Sequence, residues 1–256
     1  MSEVVSPNLA VSTVIFRLRP GADGTSELAL PLVRRIRAPY EGRWALPGGP
    51  LTAHEDLAQA ASRTLLATTS LQPRYLEQLY AFGQLDRSPD ERVVSIVYWA
   101  LVASDEAERT IENDNVRWFV ADELPELAFD HKLIVEYALW RLRTKLEYSQ
   151  IAHGFLGETF TLAQLREVYE AVLQKPLDPG NFRRTMEGSG AVVATGERLS
   201  GTRHRPPQLY KYDTSVNPAD QGPLSHLTAP CTLVPANPST TSFRTTTHAS
   251  ASGVSA

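Results

Sequence analysis

Between Asp178 and Lys211 the chain gathers side chains suited to gripping a polyanion. Residues 198–211 carry Arg198, Arg203, Arg205 and Lys211, with His204, and no acid. The whole chain has a net charge of −4, and residues 1–156 hold 16 basic against 21 acidic side chains. A small basic surface on an acidic protein suits a phosphate backbone, although a solvated basic hairpin would have the same composition. Upstream, Asp178-Pro179 opens a helix with a carboxylate at the cap and proline at the first position. Phe182 and Met186, four apart, should face inward, which leaves Asn181, Arg184 and Thr185 outward with Arg183 flanking. Asn and Arg make two-pronged hydrogen bonds to adenine and guanine edges in a major groove. The expected chemistry is therefore recognition of double-stranded DNA. Asn181, Arg183 and Arg184 should meet base edges or phosphates, and Arg198, Arg203 and Arg205 should hold phosphates or enter the minor groove.

Three elements must position these groups. Thr161-Leu162-Ala163-Gln164 has the form of a capping box, and Leu162, Leu165, Val168, Tyr169, Val172 and Leu173 follow on one helical face. Lys175-Pro176-Leu177 breaks that helix, and Gly188 and Gly190 end the next. Ala191–Thr195 and Leu209–Tyr212 then read as the strands of a hairpin. Helix, helix and basic hairpin in that order predict a winged helix-turn-helix over residues 149–213.

A second constellation lies at residues 42–71, GRWALPGGPLTAHEDLAQAASRTLLATTSL. Gly49, Glu55 and Arg63 stand in the spacing Gly-x5-Glu-x7-Arg, preceded by Trp44-Ala45-Leu46-Pro47-Gly48-Gly49. This resembles the Nudix family, whose motif continues with three clustered glutamates and a glycine. Here Thr64, Ala67 and Thr68 stand at the glutamate positions and Ser70 at the glycine. Positions 64, 67 and 68 share one helical face. In active relatives the carboxylates there converge on divalent cations that neutralise a diphosphate and activate water. Two hydroxyls and a methyl group cannot do so. The expectation is a Nudix fold with no catalytic residue and no metal.

Further segments are similar to one branch of this superfamily, the Nudix-related transcriptional regulators of NAD metabolism (NrtR type). They are Leu79–Gly83, the stretch from Asp86 to Ser95, Trp118-Phe119, Leu127–His131, DPGNFRR and QLYKYD. The resemblance implies that ADP-ribose or a related NAD-derived nucleotide acts as an effector, with no cofactor, and that the targets are genes of NAD biosynthesis or salvage. Arg34, Arg35, Arg37 and Arg92, with the Gly48-Gly49 turn, are candidates for the diphosphate. Tyr40, Trp44 and Phe82 are candidates for an adenine slot. Each arginine alone would serve equally as a surface charge, and His131 either contacts ligand or is structural. Two alternatives stay open: an active hydrolase with displaced ligands such as Glu41, Asp86 or Asp90, and a sugar-responsive Nudix-like regulator. A nucleotide-binding adaptor that uses the winged helix on protein is a third.

Composition sets the frame. In 256 residues, 42% are hydrophobic and 21% charged, and the only cysteine is Cys231, which excludes an internal disulfide. No run approaches a membrane span, so a cytoplasmic location is expected. Apolar β-rich runs occur at Val11–Leu18, Leu28–Ile36, Tyr75–Phe82, Val93–Leu101 and Val116–Val120, with a helix from Glu55 to Ala67. They predict an α+β fold with an N-terminal α/β/α sandwich. Residues 1–148 form the Nudix-like, nucleotide-sensing domain, including a linker helix over 131–148. The apolar stripe of that helix is wider than one buried face needs. It suits contact with both domains, with a partner subunit of a homodimer, or simply the core. Residues 214–256, of which 26 are Ser, Thr, Pro or Ala, should be a disordered tail.

Overall fold

A computed structural model describes residues 6–22, 24–71, 75–103, 114–148, 151–200 and 206–213. The expected tail at 214–256, with Cys231, lies outside the described residues, as do Arg203, His204 and Arg205.

Strands β1 (Asn8–Pro20), β2 (Ser26–Arg34), β3 (Trp44–Ala45), β4 (Gly48–Pro50), β5 (Tyr75–Phe82), β6 (Val93–Val102) and β7 (Val116–Val120) form one mixed sheet. Its order is β3-β2-β1-β6-β5, with β4 also on β1 and β7 on β2. The central pair β1–β6 is parallel and the other pairs are antiparallel. Strands buried on both faces read as continuous apolar runs, and VVSIVYWALV in β6 is one. Its side chains alternate: Val97, Trp99 and Leu101 point to one core, Ile96, Tyr98 and Ala100 to the other.

Helix α1 (Leu57–Thr69) covers the second face, and α2 (His131–Tyr148) the first. The α/β/α sandwich is therefore as the residue pattern predicts. Helix α1 begins two residues later than expected because Asp56 caps it, with Gln59 closing a capping box. Strands β3 and β4 were not expected, since two or three residues carry no periodicity. Gly48 is needed in β4: a Cβ there would meet the Val11 carbonyl oxygen at 2.7 Å.

The C-terminal part follows its capping signals closely. Helix α3 (Leu162–Leu173) starts from the Thr161–Gln164 capping box, and α4 (Pro179–Ser189) starts where the Asp178 side chain accepts from the Asn181 amide. Helix α4 runs through Gly188 and stops at Gly190, whose φ of 70° is the left-handed cap expected of glycine. Strands β8 (Val192–Arg198) and β9 (Gln208–Tyr212) form the hairpin. A 3-10 turn at Ile151–Phe155, which the sequence did not signal, seats this part on the sheet. A Cβ on its Gly154 would stand 2.8 Å from Leu101 in β6.

The two parts share one apolar core, a cluster running from Val14 and Trp99 through Leu142 to Val168, Phe182 and Tyr210. Polar ties reinforce the seam. Arg143 Nε donates to the Val172 carbonyl at 2.9 Å, Tyr169 Oη donates to the Leu146 carbonyl at 3.3 Å, and Gln174 donates to Asp122. Among the described residues no helix is long and apolar enough to cross a membrane.

Candidate functional site

A cleft of about 980 Å³ opens beside the β1 and β4 strands. Of the nucleotide-site candidates, Arg34, Arg35, Arg37, Gly48, Gly49 and His131 line it. Trp44, Phe82 and Arg92 do not. Trp44 lies against Phe119, with ring centroids 5.1 Å apart, and Phe82 against Tyr80 and Tyr137. Arg92 holds the β5–β6 connection, donating to the Gln84 and Val93 carbonyls at 3.3 Å each. Tyr40 sits beside the cleft, edge-on to Phe129 at 5.0 Å.

The arginines divide by what they already hold. Arg35 donates from Nε to the Pro39 carbonyl at 2.7 Å and lies over the Phe129 ring at 4.5 Å. Its guanidinium therefore braces the 36–43 loop. Arg34 donates to the Gly42 carbonyl at 3.2 Å, while the exposed Arg37 guanidinium has no protein partner among the described residues, although the Arg37 carbonyl accepts from Arg35 Nη2 at 3.4 Å. Arg37 keeps its whole fork for an anion. At this rim Tyr40 and Phe129 take φ of 63° and 55°. Such left-handed backbone in non-glycine residues costs free energy and tends to gather at ligand clamps.

Two features of the site were not assigned to it from the sequence. The hydroxyls of Ser12 and Ser95, on neighbouring strands at the cleft, are 3.0 Å apart and buried. Bonded to each other, they retain one donor and spare lone pairs for a guest. Arg87, also in the lining, makes a two-pronged bond to Asp130 at 2.8 and 3.0 Å. Both side chains are nearly inaccessible, at 5% and 11% exposed. This pair ties the β5–β6 connection to the start of α2. No spacing rule could have revealed a contact across 43 positions.

His131 opens α2 against the cleft, and its Nδ1 accepts from the Leu46 amide at 2.9 Å. An accepting Nδ1 puts the proton on Nε2. Burial pushes the imidazole down to about 4, against the opposing pull of Asp130.

The α1 face at positions 64, 67 and 68 carries no carboxylate, and its hydroxyls turn back into the helix. Thr64 is buried against Gly49 and its hydroxyl donates back to the Ala60 carbonyl. Thr68 does the same to the Thr64 carbonyl at 2.6 Å. Glu55 is held by Arg63 at 2.7 Å from both Nε and Nη2, and accepts from the Thr52 amide at 2.9 Å. Arg63 draws this carboxyl down to about 2. No cluster of three metal-type side chains occurs among the described residues, which include Glu41, Asp86 and Asp90. Ser70 caps α1 at φ 60°, doing without the motif's glycine.

On α4, Phe182 is buried and Met186 packs on the core. Asn181, Arg183, Arg184 and Thr185 are exposed, as their spacing predicts. Arg183 is paired with Glu187 at 3.1 Å, and Glu187 also accepts from Tyr210 Oη at 2.6 Å. Arg184 has no partner among the described residues. Arg198 in the hairpin donates to the Pro206 carbonyl at 2.9 Å.

A Nudix sandwich whose α1 face at 64, 67 and 68 lacks carboxylates, joined through α2 to a winged helix, defines a class: a ligand-binding fold coupled to a nucleic-acid reader. Residues 9–138 match the NUDIX domain family and residues 152–212 the NrtR DNA-binding winged helix domain. The chain is 32% identical over 217 residues to the ADPR responsive transcriptional repressor NtrR of Acinetobacter baylyi, spanning 82% of this chain and 84% of that protein. Crystal structures of Shewanella oneidensis NrtR superpose with a TM-score of 0.68 at 34% identity, covering 80% of this chain and 94% of that one. The same protein complexed with a 27mer DNA gives 0.68 at 32% identity, covering 81% and 94%. This chain belongs to the NrtR family of Nudix-domain transcriptional regulators.

Proposed function

We propose that this chain is a DNA-binding transcriptional repressor responsive to ADP-ribose, in which a Nudix receptor without hydrolase activity controls a winged helix. The observation that carries the reading is the α1 face, without a carboxylate at 64, 67 or 68. Thr64 and Thr68 bond into their own helix and Arg63 holds Glu55, so the adjoining cleft can bind a diphosphate without cleaving it. The ADPR responsive repressor of Acinetobacter baylyi supports the effector, and the Shewanella oneidensis complex with a 27mer DNA supports the duplex partner. Residues 1–148 act as the sensor and 149–213 as the reader, working in the cytoplasm as a homodimer on genes of NAD biosynthesis or salvage. In the cleft, Arg37 takes the diphosphate with Arg34 beside it, against Gly48 and Gly49, which the sequence suggested as a turn and which lie in strand β4 paired with β1.

Fluorescence anisotropy on promoter DNA with and without ADP-ribose tests this. Saturating ADP-ribose should change DNA affinity, and DNA should change ADP-ribose affinity by the same factor. Equal affinities in the two conditions would sink the effector reading. AMP release from ADP-ribose with Mg²⁺ or Mn²⁺ should stay at background. Turnover near one per second, an ordinary enzyme rate, would restore the hydrolase.

Within the reader, Arg184 is free to reach a base edge while Arg183 is committed to Glu187. A bidentate Arg–guanine contact contributes about 1–3 kcal/mol of discrimination. Arg184→Ala should lower operator affinity about tenfold or more and leave affinity for scrambled DNA nearly unchanged. Arg183→Ala should cost less. A uniform loss on both DNAs for Arg184→Ala would assign it to the phosphate backbone instead.

A further inference from the structure

Helix α4 holds a single acid, Glu187, in its last turn. Glu187 is three residues from Arg184 and four from Arg183, so the three share one side of the helix. An anion is out of place there twice over. The C-terminal end of a helix carries partial negative charge and favours cations. The same side of α4 is the one offered to a duplex, whose phosphates repel a carboxylate. Stability does not account for Glu187 either. The Arg183–Glu187 pair is 62% and 41% exposed, and surface pairs of this kind contribute little. With its cation on the N-terminal side, the pair also has the weaker of the two orientations on a helix.

Yet the carboxylate is held firmly. Its Oε1 accepts from Tyr210 Oη at 2.6 Å and from Arg183 Nε at 3.1 Å. Tyr210 is a fixed donor. Its ring is buried, and its backbone N–H and C=O both pair with Phe160, at 2.8 and 2.9 Å. Tyr210 foremost, and then Arg183, draw the Glu187 carboxyl below its ordinary value, so it stays ionised. An anchor therefore runs from the domain core through β9 to one guanidinium on the reading helix.

We propose that Glu187 is a specificity-determining residue of the DNA reader, which restrains Arg183 so that this arginine serves the operator and not phosphates at large. The proposal rests on the winged-helix reading above and goes one residue deeper. A guanidinium held at Nε keeps Nη1 and Nη2 for donation at one fixed place. In a specific complex the helix is docked in one register, and one place is enough. In a non-specific complex, affinity comes from cations that each swing to a nearby phosphate. A tethered Arg183 cannot make that search, and Glu187 offsets its charge at a distance. Arg184 has no such tether among the described residues. Specificity is a difference of two affinities, so weakening the wrong complex serves it as well as strengthening the right one.

Affinities of the full chain for operator and scrambled duplexes, at several salt concentrations, test the restraint. The variants are Glu187→Gln, and Glu187→Gln combined with Arg183→Gln. Glutamine keeps an acceptor for Tyr210 Oη, so the contact between α4 and β9 survives. Glu187→Gln should raise affinity for scrambled DNA about fivefold and steepen its salt slope by about one unit, with operator affinity within about twofold of wild type. The double variant should return the scrambled affinity and slope to wild type, because the released cation is Arg183. An equal gain on both duplexes, or no change on either, would overturn the proposal. A loss on both would make Glu187 a structural tie, and a loss on the operator alone would make it a base contact; either result overturns the restraint. A wild type that binds neither duplex would overturn the winged-helix reading itself, and this proposal with it.

Discussion

Replacing Asp130 by alanine should destabilise the fold by about 3–5 kcal/mol, because it strands a buried guanidinium without its counter-charge. Arg87 is 5% exposed and its Nε and Nη2 both reach Asp130, so removing that carboxylate leaves two buried donors unpaired. In a domain of this size the loss should lower the melting temperature by roughly 10 °C. Taking out both charges, as Arg87→Met with Asp130→Leu, should cost much less than Asp130→Ala alone, since no ion is then left in an apolar site. Thermal melts of the two variants decide the matter. A loss below 1 kcal/mol for Asp130→Ala would mean that water reaches Arg87. The pair also shapes the cleft wall, so ADP-ribose affinity should fall in the single variant below its melting point.

The second large effect is a pH dependence centred on His131. Its imidazole is buried, and burial lowers its pKa from the ordinary 6.5 to about 4. Below pH 6.5 the unfolded chain takes up a proton that the folded chain refuses until about pH 4. The unfolded state then binds more protons, so stability rises with pH through that window and is lost as pH falls from 6.5 to 4. The full loss is on the order of 3 kcal/mol. Glu55 titrates lower, with its contribution present above 4.5 and lost as pH falls toward 2, so the two windows barely overlap. Denaturant unfolding at pH 7, 5.5 and 4.5 should therefore show a drop that His131→Gln abolishes. An equal drop in His131→Gln would assign the pH effect elsewhere. The same protonation would turn the Nδ1 acceptor into a donor facing the Leu46 amide, so ligand affinity should weaken over the same window.

Local chemistry was legible in the residues themselves. Thr161 with Gln164 and Asp178 with Pro179 specify helix starts, because orphan amides in a first turn need an acceptor wherever the helix lies. Alternating and continuous apolar runs specify the strands, because side chains in a strand must alternate between two cores. That the helix after Gly49 and Glu55 carries Thr64, Ala67 and Thr68 on one face, with no carboxylate among them, was likewise plain in the residues. Outward placement of Asn181 and Arg184 followed from inward Phe182 for the same reason.

What lines the cleft was decided by tertiary structure. Trp44 and Phe82 have the right chemistry for an adenine slot, yet Trp44 packs on Phe119 and Phe82 on Tyr137, because their strands turn those side chains away. The Ser12–Ser95 hydroxyl pair exists only because β1 and β6, 83 positions apart, run side by side. Arg35 and Arg37 look alike in sequence, but the loop they share consumes one and frees the other. Likewise the width of the α2 stripe was visible, but not its division into a core face and an open aromatic face. Contacts distant in sequence depend on how the chain closes on itself, and residue type and spacing carry no record of that closure.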